Sequence, residues 1–470
     1  MVEAVINAAT TLPKQRNIIL VGKANQVDET GSTYRYLELT EEDANHIVFL
    51  GPSGFRKTTA MKALIQEIWT KTSWGRDREK PLIVVFEAKY DRAKAQAVKN
   101  TFITLLKEKG EKWLKDRLGE EHYKEMKFYI TLLMNPGMAG SIGLMGDFAL
   151  AWGNILGLQK IDSRNTELSN FGLRPEPFPM RRIVFNPTRE LHHIAYDSGP
   201  EAEIIATKIK YSRLNFEDLA KLLNLNNYTI YSGVIKEAWD HLKIRDPDEV
   251  LHRAKEIYQE MLEFLEIESA KPNMSLWGVK ATMERLKNNP LFEKDGKDLI
   301  DIIDNDKINV IDFSQNSRLT LEEKKLIFRK IIEYLMNEYA QIKETAIFIV
   351  GDEIQKYLDD HTGRKIISSL FREGRSNQIN FFAATQYLHS LPSELVYGAT
   401  HVAILGFLTS ADDARLLKKL VPDFELKYHQ PLARTPGEVE KLRREHKGRG
   451  YIIINKLFTE RILFRPSQTL

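Results

Sequence analysis

The chain reads as an α/β protein with a mostly parallel sheet, its core split in sequence by a large, mainly helical insertion. Three observations carry this expectation. First, the apolar run HIVFL at 46–50 leads into GPSGFRKTT, Gly51 to Thr59, and then into AMKALIQEIW. In that last stretch Met61, Leu64, Ile65 and Ile68 recur with helical spacing, which gives strand, loop and helix in succession. Second, apolar runs of strand length follow at Leu82–Phe86, Ile308–Phe313, Ala346–Val350, Ile379–Thr385 and His401–Phe407. Helical segments such as Leu321–Tyr339 lie between most of them, as a doubly wound sheet requires. Third, from about Met138 to Asp301 the pattern turns to helical periods, as in FEDLAKLLNL and DEVLHRAKEIYQEMLEFLE, with a single strand-like run IVFN at Ile183–Asn186.

These patterns divide the chain into a short β-rich N-terminal segment (1–44), a first part of the core (45–137), the mainly helical insertion (138–301) and a second part of the core (302–470). The last part closes in an expected hairpin, YIIINK followed by ERILF. No internal repeat or low-complexity segment interrupts this plan.

Composition bounds the function without choosing it. At 470 residues the chain exceeds the size at which one core stops growing, about 250–300 residues, so it is one elaborated domain or a few units. Hydrophobic residues at 43% and charged residues at 28% are those of an ordinary folded protein. A net charge of +3 is too small to argue for a nucleic-acid partner, so that reading must come from motifs. The absence of cysteine excludes disulfides, thiolate metal sites and a cysteine nucleophile, and points to a reducing interior. The N-terminus, MVEAVINAATTLPKQR, lacks the basic and apolar regions of a secretory signal. Ser141–Gln159 is apolar but rich in glycine and carries Asp147 and Asn154, and an acid near mid-span is costly. The expectation is a cytoplasmic protein with no integral membrane segment.

GPSGFRKT fits the phosphate-binding loop pattern at every position but one. Glycines let backbone amides wrap phosphates, a lysine reaches the β- and γ-phosphates, and a hydroxyl holds Mg2+. Gly51, Pro52, Ser53, Gly54, Phe55, Arg56, Lys57, Thr58 and Thr59 are therefore the candidate ATP-binding loop, with Lys57 acting on the phosphates and Thr58 on the metal. Arg56 stands where a glycine is expected. If that position requires positive φ, the arginine strains the loop and impairs hydrolysis; if it does not, the side chain points outward or adds charge beside the nucleotide. A chance loop is the competing reading of GPSGFRKTT, and the flanking strand and helix disfavour it.

AIFIVGDE places Asp352 and Glu353 at the end of an apolar strand, where the carboxyl edge of a sheet brings them to the phosphate loop. Asp352 then belongs to the Mg2+ shell and Glu353 polarises the attacking water as general base. An ordinary pair of helix-start carboxylates is the competing reading.

With GPSGFRKTT, INVIDFSQ, IFIVGDEIQ and FREGRSNQINFFAATQ ahead of LPSELVYGATHVAILGF, the chain resembles the HerA/FtsK superfamily. That superfamily includes archaeal HerA translocases, conjugation ATPases and viral genome-packaging motors. The resemblance covers about Asn45–Phe86 and Ile308 to the end, the helical middle matching only in general character. It implies a RecA-like P-loop NTPase core that hydrolyses ATP with Mg2+, in an oligomeric, hexameric ring acting on double-stranded DNA. A nuclease, a secretion channel or a capsid is the class of partner implied. It further implies that Gln386 senses the γ-phosphate, and that Arg375, and with it Arg372, reaches the neighbouring subunit's nucleotide. An amide that donates and accepts and a guanidinium fork suit those tasks, although arginines on a helix surface also form simple salt bridges. Glu87 in EAKYD stands where the family has an acidic motif.

Two departures qualify the resemblance: Arg56 itself, and the lack of an evident N-terminal β-barrel in the fifty residues before the phosphate loop. A compact relative, of mobile-element or viral kind, fits the second. The run from Arg434 to Arg449 is a candidate DNA contact, though a solvated helix face has the same composition. Two classes of function follow, an active DNA motor and a nucleotide-holding component of a DNA-handling assembly whose hydrolysis Arg56 impairs. A small-molecule kinase is disfavoured, because no lid or acceptor base is evident.

Overall fold

In the computed structural model the described residues run with interruptions from Asn17 to Arg465. Outside them lie 1–16, 25–31, 41–43, 88–91, 128–170, 172–178, 188–201, 226–228, 265–273, 422–440, 442–447 and 466–470, together with Gly54, Arg375 and a few other single or paired positions. The apolar stretch Ser141–Gln159 and most of the basic run from Arg434 are therefore not described. Among the described residues no helix is long and apolar enough to cross a membrane.

The described elements begin with β1 (Asn17–Ala24) and β2 (Tyr34–Leu39), then β3 (Ile47–Leu50), which feeds α1 (Lys57–Lys71). β4 (Leu82–Glu87) and α2 (Arg92–Leu118) follow, then β5 (Met180–Phe185), β6 (Ala202–Thr207) and the short β7 (Ile209–Lys210). A helical stretch of α3 (Phe216–Leu223), α4 (Ile230–His241), α5 (Pro247–Phe264) and α6 (Met274–Lys287) leads to β8 (Phe292–Glu293) and β9 (Ile308–Asp312). The second half of the core is α7 (Leu321–Tyr334), β10 (Ile347–Asp352), α8 (His361–Glu373), β11 (Ile379–Thr385), α9 (Ser393–Gly398), β12 (His401–Leu405) and α10 (Ala411–Leu420). β13 (Arg449–Ile454) and β14 (Phe458–Phe464) end it.

The main sheet has twelve described strands in the order β2-β1-β14-β13-β12-β3-β11-β10-β4-β9-β5-β6. From β12 to β6 every pairing is parallel, and from β12 back to β2 every pairing is antiparallel. This is the expected RecA-like α/β core with a mostly parallel sheet. Its central strands are near-continuous apolar runs because both of their faces are covered. In β4, Leu82, Val84 and Phe86 join the core on one side, with α7 and the α3–α6 helices, while Ile83 and Val85 join α1 on the other.

Strands at both ends of the chain hold α1 in place behind its loop. Arg465, just past β14, donates from Nη1 to the Ala63 carbonyl at 2.9 Å and pairs from Nη2 with Glu67 at 3.0 Å. The Leu20 amide of β1 reaches Glu67 Oε2 at 3.3 Å. Buried on so many sides, α1 carries Lys62, Gln66 and Glu67 in the interior beside its apolar residues.

The region 138–301 contributes β5 and β6 to the sheet as well as the α3–α6 helices. The strand β6 was not evident in the sequence because AEIIAT has only two strongly apolar residues. The hairpin β13–β14 turns through Asn455 and Lys456, both at positive φ (52° and 59°), which matches the twist of the strands it joins.

Candidate active site

β3, β11 and β10 are adjacent parallel strands, so their carboxyl ends lie side by side. The loop after β3, Gln386 after β11, and Asp352 and Glu353 at the end of β10 therefore come together, although some 300 residues separate the first from the others in sequence. A parallel sheet gathers chemistry at this edge.

The loop is shaped by backbone constraints. Gly51 has φ 143°, and a Cβ there would stand 2.1 Å from the Leu405 carbonyl oxygen. Arg56 caps α1 with φ 70° and ψ 26°, in the left-handed region that glycine enters freely and arginine does not. Of the two possibilities left open by the sequence, positive φ is the one observed. The Arg56 side chain extends beside the turn into β13, where a Cβ on Gly448 would lie 3.6 Å from its Cδ and Nη1. Phe55 is fully buried, edge-on to Phe407 at 5.2 Å and against Gly406, so only its backbone is available to a nucleotide. Ser53 is exposed, Pro52 and Thr59 are half-buried, and Gly54 lies outside the described residues.

Lys57 is buried at the start of α1, and its Nζ donates to the carbonyls of Gly51 (2.7 Å) and Pro52 (3.0 Å). The ammonium thus lies across the loop it follows. Thr58 Oγ1 donates to Asp352 Oδ2 at 2.9 Å, joining the hydroxyl and carboxylate assigned to the metal. These are hard oxygen ligands of the kind Mg2+ takes when it keeps several waters and substrate phosphates, so the residues fit that ion.

Glu353 is also in the left-handed region, at φ 56°, and is held there by its amide, which donates to the Ala384 carbonyl at 2.9 Å. Its carboxylate accepts from Gln386 Nε2 (3.2 Å) and Gln355 Nε2 (2.7 Å). A non-glycine residue at positive φ costs on the order of 1–3 kcal/mol, and such strain is concentrated at functional sites. Here it occurs at both Arg56 and Glu353.

The structure does not gather every residue named from the sequence. Arg372 is exposed on the last turn of α8, and its described hydrogen bond, Nε to the Ser368 carbonyl at 3.3 Å, stays within that helix. Arg375 lies outside the described residues. Glu87 joins a buried triad, in which Arg182 Nη1 donates to Glu87 Oε2 (2.7 Å) and Asp312 Oδ2 (2.8 Å), all at 2% exposure or less. Burial pushes the Glu87 carboxyl up, against the pull of Arg182. The triad ties β4 and β9 to β5; nothing in the sequence marked Arg182 beyond an arginine pair inside an otherwise apolar strand.

Residues 180–333, from β5 through most of α7, match the family model for "Helicase HerA, central domain". The chain carries a HerA-like segment. The resemblance to the HerA/FtsK superfamily read from the motifs thus holds, with a correction to its extent. The matched segment includes the α3–α6 helices that were expected to correspond only in general character. No curated protein matches the chain. Among solved structures, VirB4 of Thermoanaerobacter pseudethanolicus aligns at 11% identity over 95% of this chain and 96% of that one, with a TM-score of 0.43. The bacterial conjugative coupling protein TrwB aligns at 10% identity over 94% and 89%, with a TM-score of 0.44. The genome-packaging NTPase B204 from Sulfolobus turreted icosahedral virus 2, in complex with AMP, aligns at 12% over 35% and 71%, with a TM-score of 0.23.

Proposed function

We propose that this HerA-like chain is an ATP-hydrolysing motor that moves double-stranded DNA from within a hexameric, cytoplasmic ring. The observation that carries the reading is the paired geometry at one sheet edge, with Thr58 on Asp352 and Gln386 on Glu353 beside the phosphate loop. Lys57 would leave the Gly51 and Pro52 carbonyls for the β- and γ-phosphates. Thr58 and Asp352 would hold Mg2+, which supplies charge neutralisation at the phosphates when bound. Glu353 takes a proton from the attacking water, and Gln386, bonded to that carboxylate, reports the γ-phosphate to the end of β11. Arg375, with Arg372, serves the nucleotide of the neighbouring subunit, where a guanidinium stabilises the charge of the transferring phosphoryl group. Partners of the ring would be a nuclease, a secretion channel or a capsid.

Mixing subunits tests the ring. Arg375→Ala and Glu353→Gln subunits, each inactive alone, are expected to recover hydrolysis when mixed, because some interfaces then hold one intact arginine and one intact base. Turnover measured across mixing ratios, with mixed rings verified, decides it; no recovery at any ratio means that Arg375 does not act in trans.

A second reading is favoured by one observation, the left-handed backbone at Arg56. In that reading the chain holds nucleotide but turns it over poorly, as a structural or regulatory part of the assembly. Relief of strain on the order of 1–3 kcal/mol corresponds to roughly five- to hundredfold in affinity or rate. Arg56→Gly is therefore expected to bind ATP more tightly or hydrolyse it faster with the fold unchanged. Nucleotide affinity at two ionic strengths is the check, and weaker, less salt-sensitive binding by the variant would mean that the arginine's charge matters more than its backbone.

A further inference from the structure

Two residues beyond Gln386 the chain makes a short turn, Leu388–Ser390, that packs against α10. His389 and Ser390 are the exposed residues of that turn. The His389 Nδ1 lies 2.7 Å from Asp413 Oδ1, and its backbone amide donates to the same oxygen at 2.9 Å. Asp413 is fully buried in the first turn of α10, whereas His389 is 48% exposed. The second oxygen of Asp413, Oδ2, has no hydrogen-bond partner among the described residues. A wholly buried carboxylate is costly unless it is paired, and here it is committed to fixing one half-exposed imidazole.

That arrangement orients the ring. With Nδ1 spent on Asp413, the exposure of His389 falls to the edge that carries Nε2. The Tyr387 ring, itself 44% exposed, lies beside it at 5.5 Å between centroids. Three cations stand exposed on α10, Arg415, Lys418 and Lys419; of these Arg415 is bridged to Asp412 at 3.2 Å. The surface thus offers an oriented imidazole, an aromatic face and lysines, and it begins directly after the residue assigned to sense the γ-phosphate.

We propose that the turn at 387–389 and the outer face of α10 contact the phosphodiester backbone of double-stranded DNA, and that His389 links this contact to Gln386. Positive charge and an oriented donor are what a phosphate requires, and they carry no base preference. The Asp413 contact at Nδ1 fixes the ring so that Nε2 is the nitrogen left for a phosphate oxygen. Movement of His389 then reaches Gln386 through two residues of backbone. The inference rests on the DNA-motor reading above.

The test uses the full chain, a fluorescently labelled double-stranded oligonucleotide, and ATP turnover with and without that DNA. Lys418→Glu combined with Lys419→Glu is expected to weaken DNA binding by roughly tenfold or more and to lower the slope of log affinity against log salt by about two, since each phosphate contact contributes about 0.9. His389→Ala is expected to lose most of the DNA stimulation of turnover, with DNA-independent turnover unchanged; His389→Lys, which keeps a nitrogen donor for a phosphate, is expected to regain part of it. Wild-type affinity and an undiminished salt slope in the double variant, or full stimulation in His389→Ala, would overturn the proposal while leaving the motor reading intact. A wild-type chain that binds no DNA would overturn both.

Discussion

Replacing Glu353 by glutamine is expected to leave ATP bound but almost unhydrolysed, with turnover reduced by about 10²–10⁴-fold, the usual contribution of a positioned general base. The substitution keeps the side-chain length and the left-handed backbone at φ 56°, so the loop and the end of β10 stay in place. What it removes is a carboxylate able to take a proton from water. One of the two amide donors now on that carboxylate, from Gln386 and Gln355, would have to turn away, because an amide offers only one acceptor oxygen. Nucleotide affinity is expected to change little, as the contacts assigned to phosphate and metal come from Lys57, Thr58 and Asp352. Single-turnover ADP formation beside equilibrium ATP binding checks both halves. Unchanged turnover would end the assignment of Glu353 as base.

The largest expected effect on stability is at Arg182. Its guanidinium, fully buried, faces Glu87 and Asp312 together. Arg182→Ala would strand two carboxylates among the strands β4, β9 and β5, and removing one partner from a buried ion pair costs about 3–5 kcal/mol. The pH dependence has a definite sign. Burial already raises the Glu87 carboxyl above its ordinary value, and without the arginine only the weaker influence of Lys62 opposes that effect. A carboxyl whose folded pKa is raised favours the folded state below its unfolded pKa and loses that contribution as pH rises. Arg182→Ala should therefore be most destabilised near neutral pH and recover part of the loss as pH falls through the carboxylate range. Urea midpoints of wild type and variant at pH 7 and pH 5 measure this. Equal midpoints at pH 7 would mean the triad contributes nothing to the joint between β5 and the rest of the sheet.

Much of the fold was legible because its signals are local. IVFL, LIVVF, IFIV and INFFAAT are apolar runs of strand length, and buried parallel strands leave little other trace. The pairing of Gly51–Thr59 with Asp352 and Glu353 was legible because phosphate chemistry demands specific residue types at the carboxyl edge of such strands. The left-handed backbone at Arg56 could be named as a question from the sequence, but not answered, since φ at one residue depends on how Phe55 anchors the loop against Gly406 and Phe407. Two other features were invisible for a related reason. The Arg182 triad and the His389–Asp413 pair join residues distant in sequence, and each member alone looks like an ordinary polar residue in its element.

The central claim is that the residues gathered at the ends of β3, β10 and β11 hydrolyse ATP to act on DNA. Steady-state ATP turnover, measured with and without double-stranded DNA at fixed salt, tests it most directly. The account predicts hydrolysis that is stimulated by DNA and lost in Glu353→Gln. Turnover at the level of the Glu353→Gln variant, with DNA making no difference, would contradict it.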